Sequence, residues 1–246
     1  MKISIVTICY NSAATIEDTI KSVFSQNYSD IEYIIIDGGS KDGTLEIVNK
    51  YKDKISKIIS EPDKGLYDAM NKGIKMATGD VIGILNSDDF FAGNDVLSKV
   101  ANAFTVEIDL CYGNIEYIDR VDTNKKVRFW RAGEYKKGKL NNGWIMPHPA
   151  VFVRRNLYEK FGLFNLEFRI AADYELLLRF FTHDIKVKYI DETLVRMREG
   201  GFSALSFKRR KAGWEELKKA WASNGLKLPR FFIIRRLLSK INQYLS

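Results

Sequence analysis

Within the first ninety residues, four short runs of aliphatic, often β-branched residues alternate with stretches of helical spacing. This alternation constrains the fold more than any other feature. Ile3–Tyr10, Tyr33–Ile36, Ile55–Ile59 and Val81–Leu85 read as strands. After the first, Ile16, Ile20, Val23 and Phe24 recur on one helical face, with Asn11 or Ser12 placed to cap it. After the second, Leu45, Val48 and Tyr51 recur behind Ser40 as a cap, and Leu66–Ala77 supplies a third helix. Strands and helices in strict alternation, joined by short connections, specify a parallel sheet with right-handed crossovers. Val81–Leu85 is apolar throughout, as expected of a strand buried on both faces.

The chemistry sits where these strands end. Asn86, Ser87, Asp88 and Asp89 follow the fourth strand, and ligands of open α/β sheets bind outside carboxyl ends of strands. Two adjacent carboxylates there repel each other and resist desolvation, and a divalent cation relieves both. A strand-to-helix turn capped by Asp88 or Asp89 accounts for the same residues. Asp37-Gly38-Gly39-Ser40 lets backbone approach a ligand closely, with an acceptor suited to an imide N–H or a ribose hydroxyl; a plain turn reads equally well. Asp173 opens an otherwise apolar helix over Ala171–Thr182, either as a first-turn acid or as a general base. Of the two histidines, His183 reads as a helix C-terminal cap, and His148 lies between two prolines before a strand.

Beyond Asp89 the rhythm loosens. Val96–Phe104 reads as a short helix, and Leu110–Ile118, Val127–Trp130, Ala150–Val153, Val187–Ile190 and Thr193–Met197 read as strands of a more irregular half. Asn156 opens a helix stopped by Gly162, Gly200-Gly201 forms a hinge-like break, and about 203–246 reads as two helices separated by Gly225 and Pro229. The net charge of +8 is concentrated there. Residues 206–246 hold eleven basic residues against Glu215 and Glu216, a net +9 that leaves the first 205 residues near neutral. Ile234, Leu237, Leu238, Ile241 and Leu245 form an apolar stripe flanked by Arg230, Arg235, Arg236 and Lys240, the pattern of a helix lying in an anionic membrane surface. A stripe packed on the rest of the chain is the other reading. No run of about 18 apolar residues offers a membrane span, and Lys2–Tyr10 is too short for a signal-peptide core. Cys9 and Cys111 read as reduced core thiols, so a cytoplasmic location is expected.

In order, the pieces are a strand with Thr7 and Tyr10, DGGS, EPDKGLYDAMNKGIKMATGD, LNSDD and AADYELLLR. This series resembles the family 2 glycosyltransferases of the GT-A fold, over about Lys2–Gly201. The resemblance implies an α/β fold with a mostly parallel, Rossmann-like central sheet flanked by helices, and here a helical, basic C-terminal extension. It implies a catalytic domain over 1–203, with a nucleotide-binding half to 91 and an acceptor-binding half from 92, and the extension over 204–246. It implies a nucleotide-sugar donor, usually a UDP-sugar, a divalent metal, Mn²⁺ or Mg²⁺, and inversion at the anomeric carbon. Asp37 matches the contact to uracil or ribose, with Thr7, Tyr10, Asn11 and Asp63 beside it, and Asn71 falls in the matching third helix. Asp88 matches the last acid of the metal motif, with Asp89 adjacent, and Asp173 matches the catalytic base. Asn86 replaces the usual first acid, and Met70 replaces a usual arginine. Lys64, Lys72 or Arg198 is then expected to face the diphosphate, and His148 to face the acceptor or diphosphate. The expected acceptor is a saccharide, polyprenyl-linked, reached from the inner face of the plasma membrane as a step of cell-surface polysaccharide synthesis.

Two rival functions are weighed on residues. A nucleotidyltransferase wants a Gly-rich basic loop after the first strand, where this chain has Cys-Tyr-Asn-Ser-Ala-Ala. A nucleic-acid-binding protein wants aromatic platforms among its charges. Trp214 and Trp221 are instead seven apart on one helix face, so no nucleic acid partner is expected.

Overall fold

The computed structural model describes residues 1–200 and 207–241. Gly201 and Leu245 lie outside the described residues, as do the side chains of Lys208, Arg209, Arg210, Lys240 and Ile241. The expected alternation is present: β1 (Ile3–Cys9), α1 (Ile16–Phe24), β2 (Ile31–Asp37), α2 (Thr44–Asn49), β3 (Lys57–Ser60), α3 (Leu66–Met76) and β4 (Val81–Asn86). β1 pairs in parallel with both β2 and β4, and β3 extends β2 in parallel. β1 is buried along its whole length, which accounts for its run of Ile and Val.

The rest is β5 (Asp89–Phe91), α4 (Val96–Ala103), β6 (Leu110–Ile118), β7 (Lys126–Trp130), β8 (Val151–Arg154), α5 (Arg155–Phe161), α6 (Ala172–Phe180), β9 (Val187–Arg198), α7 (Phe207–Ser223) and α8 (Phe232–Ile241). Strand order is β3-β2-β1-β4-β8-β6-β9-β5, with β7 on β6. β8 enters antiparallel to β4, so the sheet is parallel on one side and mixed on the other. Only Ser87 and Asp88 separate β4 from β5, yet the two strands lie far apart along the sheet path. The sheet therefore curls, and the Asn86–Asp89 loop lies on the seam.

Three local expectations are corrected. α1 begins at Thr15 and α2 at Gly43, neither with a side-chain cap. Asn11, Ser12 and Ser40 bond one another's loops instead: the Asn11 amide donates to Ser40 Oγ at 2.8 Å, and the Lys41 amide donates to Asn11 Oδ1 at 2.9 Å. The two strands expected over 187–197 are one. Its polar stretch Asp191-Glu192 is absorbed by register shifts around Asn114, whose amide bonds Asp191 at 3.2 Å. His183 stacks on the Phe161 ring at 3.9 Å rather than ending the helix with its side chain. Both cysteines are free and buried. No helix among the described residues is long and apolar enough to cross a membrane.

Candidate active site

Register brings the motif residues of the first half to one edge. Cys9 stands opposite Asp37 and Ile8 opposite Asn86, so β2, β1 and β4 finish at one edge. The loop after β3 joins them where the Glu61 amide bonds Asp37 O at 3.0 Å. Asp63 Oδ1 accepts the Gly65 amide at 2.8 Å, while its other oxygen lies directly over Gly38. The Tyr10 ring flanks the same glycine and is well exposed. Tyr10, Gly38 and Asp63 thus bound an open slot.

Asp37 lies beneath it, fully buried. It accepts from the Gly39 amide (3.1 Å), the Ser40 amide (3.0 Å) and hydroxyl, and the Ser60 hydroxyl (2.7 Å). Burial pushes its carboxyl up, and these donors outweigh that and hold it below its usual value. These bonds shape the DGGS turn under the slot. Thr7 is enclosed and accepts from Tyr33 Oη at 3.1 Å, so it forms the slot's inner support. Asn71 is also turned inward, exchanging hydrogen bonds of 2.9 and 3.0 Å with the backbone of Phe164. Lys72 is paired with Glu61 at 2.7 Å, and Lys64 stays exposed at the head of α3. Arg198 is buried; it donates to the Asp88 carbonyl at 2.8 Å and pairs with Asp18.

At the seam Asp88 is half-buried and Asp89 fully buried. Burial pushes the Asp88 carboxyl up, against the pull of Arg120 and Arg198. Burial, reinforced by the Asp88 charge, pushes Asp89 well above its usual value. Asn86 Nδ2 donates to Asp89 Oδ2 at 3.0 Å, while Asn86 Oδ1 and Asp89 Oδ1 are buried without a hydrogen-bond partner. Uncompensated oxygens beside a partly exposed carboxylate fit a hard divalent cation. Among the described residues no cluster of three or more acid, histidine or cysteine ligands exists. That donor set suits a Mg²⁺-like ion, which binds through one or two carboxylates and completes its shell with substrate phosphates and water.

Asp173 lies in the second half of the chain, in the first turn of α6. Tyr67 Oη lies 3.4 Å from its Oδ1 and 3.0 Å from Ile170 O. His148 is near enough for Asp173 to oppose the lowering of its pKa by burial. The Arg236 guanidinium of α8 is held by Gly143 O at 3.2 Å and lies 5.1 Å from the Tyr174 ring. Burial lowers its pKa, and Tyr174 and Asp173 oppose this. The fold thus brings Asp173, His148, Tyr67 and Arg236 together. Tyr67 and Arg236 carried no signal of this in the sequence. Tyr67 stands 106 positions from Asp173, and Arg236 reads as one more charge beside a stripe.

α8 divides its apolar residues. Phe232 is 1% exposed and packs edge-on against Trp221 at 5.6 Å and Tyr174 at 6.2 Å. Phe231, Ile234, Leu237 and Leu238 are 56, 55, 48 and 57% exposed.

The family model "Glycosyl transferase family 2" matches residues 4–162. An uncharacterised glycosyltransferase of Mycobacterium tuberculosis is 34% identical over 181 residues, covering 72% of this chain and 68% of its own. A PGL/p-HBAD biosynthesis glycosyltransferase of Mycobacterium bovis is 32% identical, over 81% of this chain and 78% of its own. The Escherichia coli UDP-Glc:alpha-D-GlcNAc-diphosphoundecaprenol beta-1,3-glucosyltransferase WfaP is 30% identical, over 84% and 81%. Among solved structures, S. aureus TarS 1-349 in complex with UDP-GlcNAc superposes with a TM-score of 0.71 at 16% identity, covering 98% of this chain and 73% of that one. This chain spans 44% of a longer TarS structure. The Pyrobaculum calidifontis mannosyltransferase PcManGT, in complex with GDP-Man and Mn2+, superposes at 0.66 and 17%, over 98% and 69%. A curled α/β sheet with its acids on the strand edge, a matching family model and these relatives agree: the chain belongs to glycosyltransferase family 2 and has the GT-A fold.

Proposed function

We propose that the protein is an inverting, metal-dependent glycosyltransferase that moves a sugar from a UDP-sugar to a lipid-linked saccharide. The observation that carries this reading is the pairing of two carboxylates in different surroundings. Asp88 lies on the sheet seam next to Ser87, whose hydroxyl bonds Ser12 of the loop that carries Tyr10, and Asp173 lies near Tyr67, with His148 and Arg236 close enough to feel its charge. A UDP-sugar in the slot would lie with uracil between Tyr10 and Asp63, the latter accepting the imide N–H. Asn11 and Lys64 stand at its rim. Asp88, supported by Asp89 and Asn86, would hold a Mn²⁺ or Mg²⁺ ion whose charge offsets that of the diphosphate. Asp173 takes the proton of the acceptor hydroxyl as that oxygen bonds to the anomeric carbon, and the bond to the UDP oxygen breaks with its electron pair. A single displacement inverts the anomeric centre. His148, whose pKa burial pushes down against the pull of Asp173, and Arg236, held by the Gly143 carbonyl, are the groups we assign to the acceptor approach.

The exposed stripe of α8, set between Arg230 and Arg235, supports peripheral attachment to an anionic membrane at the inner face of the plasma membrane. Each basic residue near such a surface contributes about 1 kcal/mol. WfaP, whose name gives a diphosphoundecaprenol acceptor, supports a lipid-linked acceptor here too.

Asp173→Asn keeps the side-chain shape and removes the proton acceptor. UDP release from a panel of UDP-sugars in Mn²⁺ should fall at least ~10²-fold, with UDP affinity by calorimetry nearly unchanged. Native turnover in this variant removes Asp173 as the base. For the membrane, Ile234→Ser, Leu237→Ser and Leu238→Ser together leave Phe232 and Arg236 in place. They should abolish salt-sensitive co-sedimentation with phosphatidylglycerol vesicles, and undiminished pelleting would place the contact elsewhere.

A further inference from the structure

The C-terminal extension does more than carry charge. Immediately before α6, three consecutive backbone amides point at one carboxylate. Glu216 of α7 accepts the Arg169 amide at 3.0 Å through Oε1, and the Ile170 and Ala171 amides at 2.8 Å each through Oε2. A helix start leaves its first N–H groups without intrahelical partners, and an anion there is favoured by both hydrogen bonding and the helix dipole. α6 has no side-chain cap of its own, because its N-cap position is Ala171. Glu216, 45 residues downstream, instead ties down the N-cap amide and the two amides before it. Asp173 stands two positions past the last captured amide.

The same two elements are bolted together elsewhere. Trp221 Nε1 donates to Tyr174 Oη at 2.9 Å, one residue past Asp173, in a buried bond. The Ile170 carbonyl, within the captured stretch, receives the Tyr67 hydroxyl that also approaches Asp173. The backbone around Asp173 is therefore fixed from α7 on one side and α3 on the other. Glu216 lies beyond residues 4–162, where the family model matches, and in the sequence it reads as one of two acids in a basic tail.

We propose that Glu216 is a positioning residue for sugar transfer, which sets Asp173 by anchoring the three amides that lead into α6. This rests on the reading of Asp173 as the base. Glu216 touches neither donor nor acceptor, and it acts only through where α6 begins. An in-line displacement tolerates little misplacement, and an error of about 1 Å costs about 10²-fold in rate.

The test uses the full chain and two readouts. In hydrogen exchange, Glu216→Ala should speed the amides of 169–171 and the first turn of α6 while β1 and β4 stay unchanged. Unchanged exchange at 169–171 overturns the proposal. In turnover of UDP-glucose and UDP-N-acetylglucosamine with Mn²⁺, measured as UDP release, E216A should lower kcat by about 10²-fold. Donor KM should stay within about threefold of native. Glu216→Gln retains an accepting oxygen without the charge and should recover most of the loss; if E216A fails to fold, E216Q should still speed exchange at 169–171 through its weaker acceptor, and unchanged exchange there overturns the proposal. In an Asp173→Asn background, E216A should add less than about twofold, because the group it positions is already gone. Native kcat in E216A, a loss in KM alone, or a full additional loss on top of D173N each overturns the proposal. Native kcat in D173N instead removes the reading of the base, whatever Glu216 does.

Discussion

Gly143 offers a way to lift α8 without touching it. It ends the short 3₁₀ turn Lys139–Asn142 in a left-handed conformation, φ 79°, and the backbone of Arg236 crosses directly over it. A methyl group there would stand 2.6 Å from Arg236 Cα and 2.7 Å from its amide nitrogen. Ordinary carbon contacts are about 3.5–4.0 Å, so Gly143→Ala forces a retreat of about 1 Å. Overpacking of this kind costs about 1–3 kcal/mol, and the left-handed conformation adds about 1–2 kcal/mol for a residue with a side chain. The burial of Phe232, the main apolar anchor of α8, contributes about 1.5–3 kcal/mol. Wedge and anchor are thus of similar size, and α8 should undock in a large fraction of molecules. The opposite end of the same turn supplies the control. Gly138 has φ 86° but nothing within 4 Å of an added methyl, so Gly138→Ala bears only the backbone cost. Urea denaturation and hydrogen exchange read the two variants side by side. G138A should lose about 1–2 kcal/mol with α8 protection intact. G143A should lose more, with faster exchange throughout α8 and lower turnover, since Arg236 leaves the neighbourhood of Asp173. Equal losses and equal α8 protection in both variants would refute the wedge argument.

Three further outcomes are expected. Asp88→Ala should abolish transfer and weaken UDP affinity in Mn²⁺ but not in chelator; undiminished native activity in excess chelator would remove the metal from the mechanism. Gly38→Ala drives a methyl group into the Asp63 carboxylate and should weaken UDP binding by about tenfold at little cost in folding, with calorimetry at native affinity as the contrary result. Glu32 is buried and accepts from Ser4 Oγ (2.6 Å), the Thr78 amide (2.7 Å) and the Thr78 hydroxyl (2.9 Å). Burial pushes its pKa up, and these donors and Lys2 overcome that to hold it at about 2. A depressed carboxyl stabilises the fold above its unfolded value of about 4.3, and that contribution is lost as pH falls toward 2. Glu32→Gln should therefore cost about 3 kcal/mol near neutrality and flatten the loss of stability over that window; an unchanged acid limb would contradict it.

The parallel half was legible because its central strands are buried on both faces, which leaves continuous apolar runs such as Ile3–Cys9 and Val81–Leu85. β5 was not, because three residues, Asp89-Phe90-Phe91, form a strand only through pairing with residues 195–197. Local caps were misread where the hydroxyls of Ser12 and Ser40 had better partners across the loops than along their own helices. At the site, acids on a strand edge announce themselves, since their position follows from the strand. Tyr67, Arg236 and Glu216 do not, because each acts on α6 from an element separated from it by tens of residues, and no local pattern encodes that distance. Asn71 is a polar residue in a motif helix whose amide exchanges hydrogen bonds with the Phe164 backbone, a partner 93 positions away that no local pattern announces.

The two-residue step from β4 to β5 also dictates when the site can exist. β4 completes its pairing with β1 from residues already made by position 86, but among the described residues β5 finds its strand partner in β9, a hundred residues later. As the chain leaves the ribosome, Asn86, Asp88 and Asp89 emerge early and stay uncovered until Arg198 arrives to close over the Asp88 carbonyl. Pairings this distant in sequence form late in folding. The parallel half is therefore not a module that matures first with its acids already covered. The Asn86–Asp89 loop is completed only when β9 closes the seam, so an unfinished chain leaves these acids without the Arg198 contact.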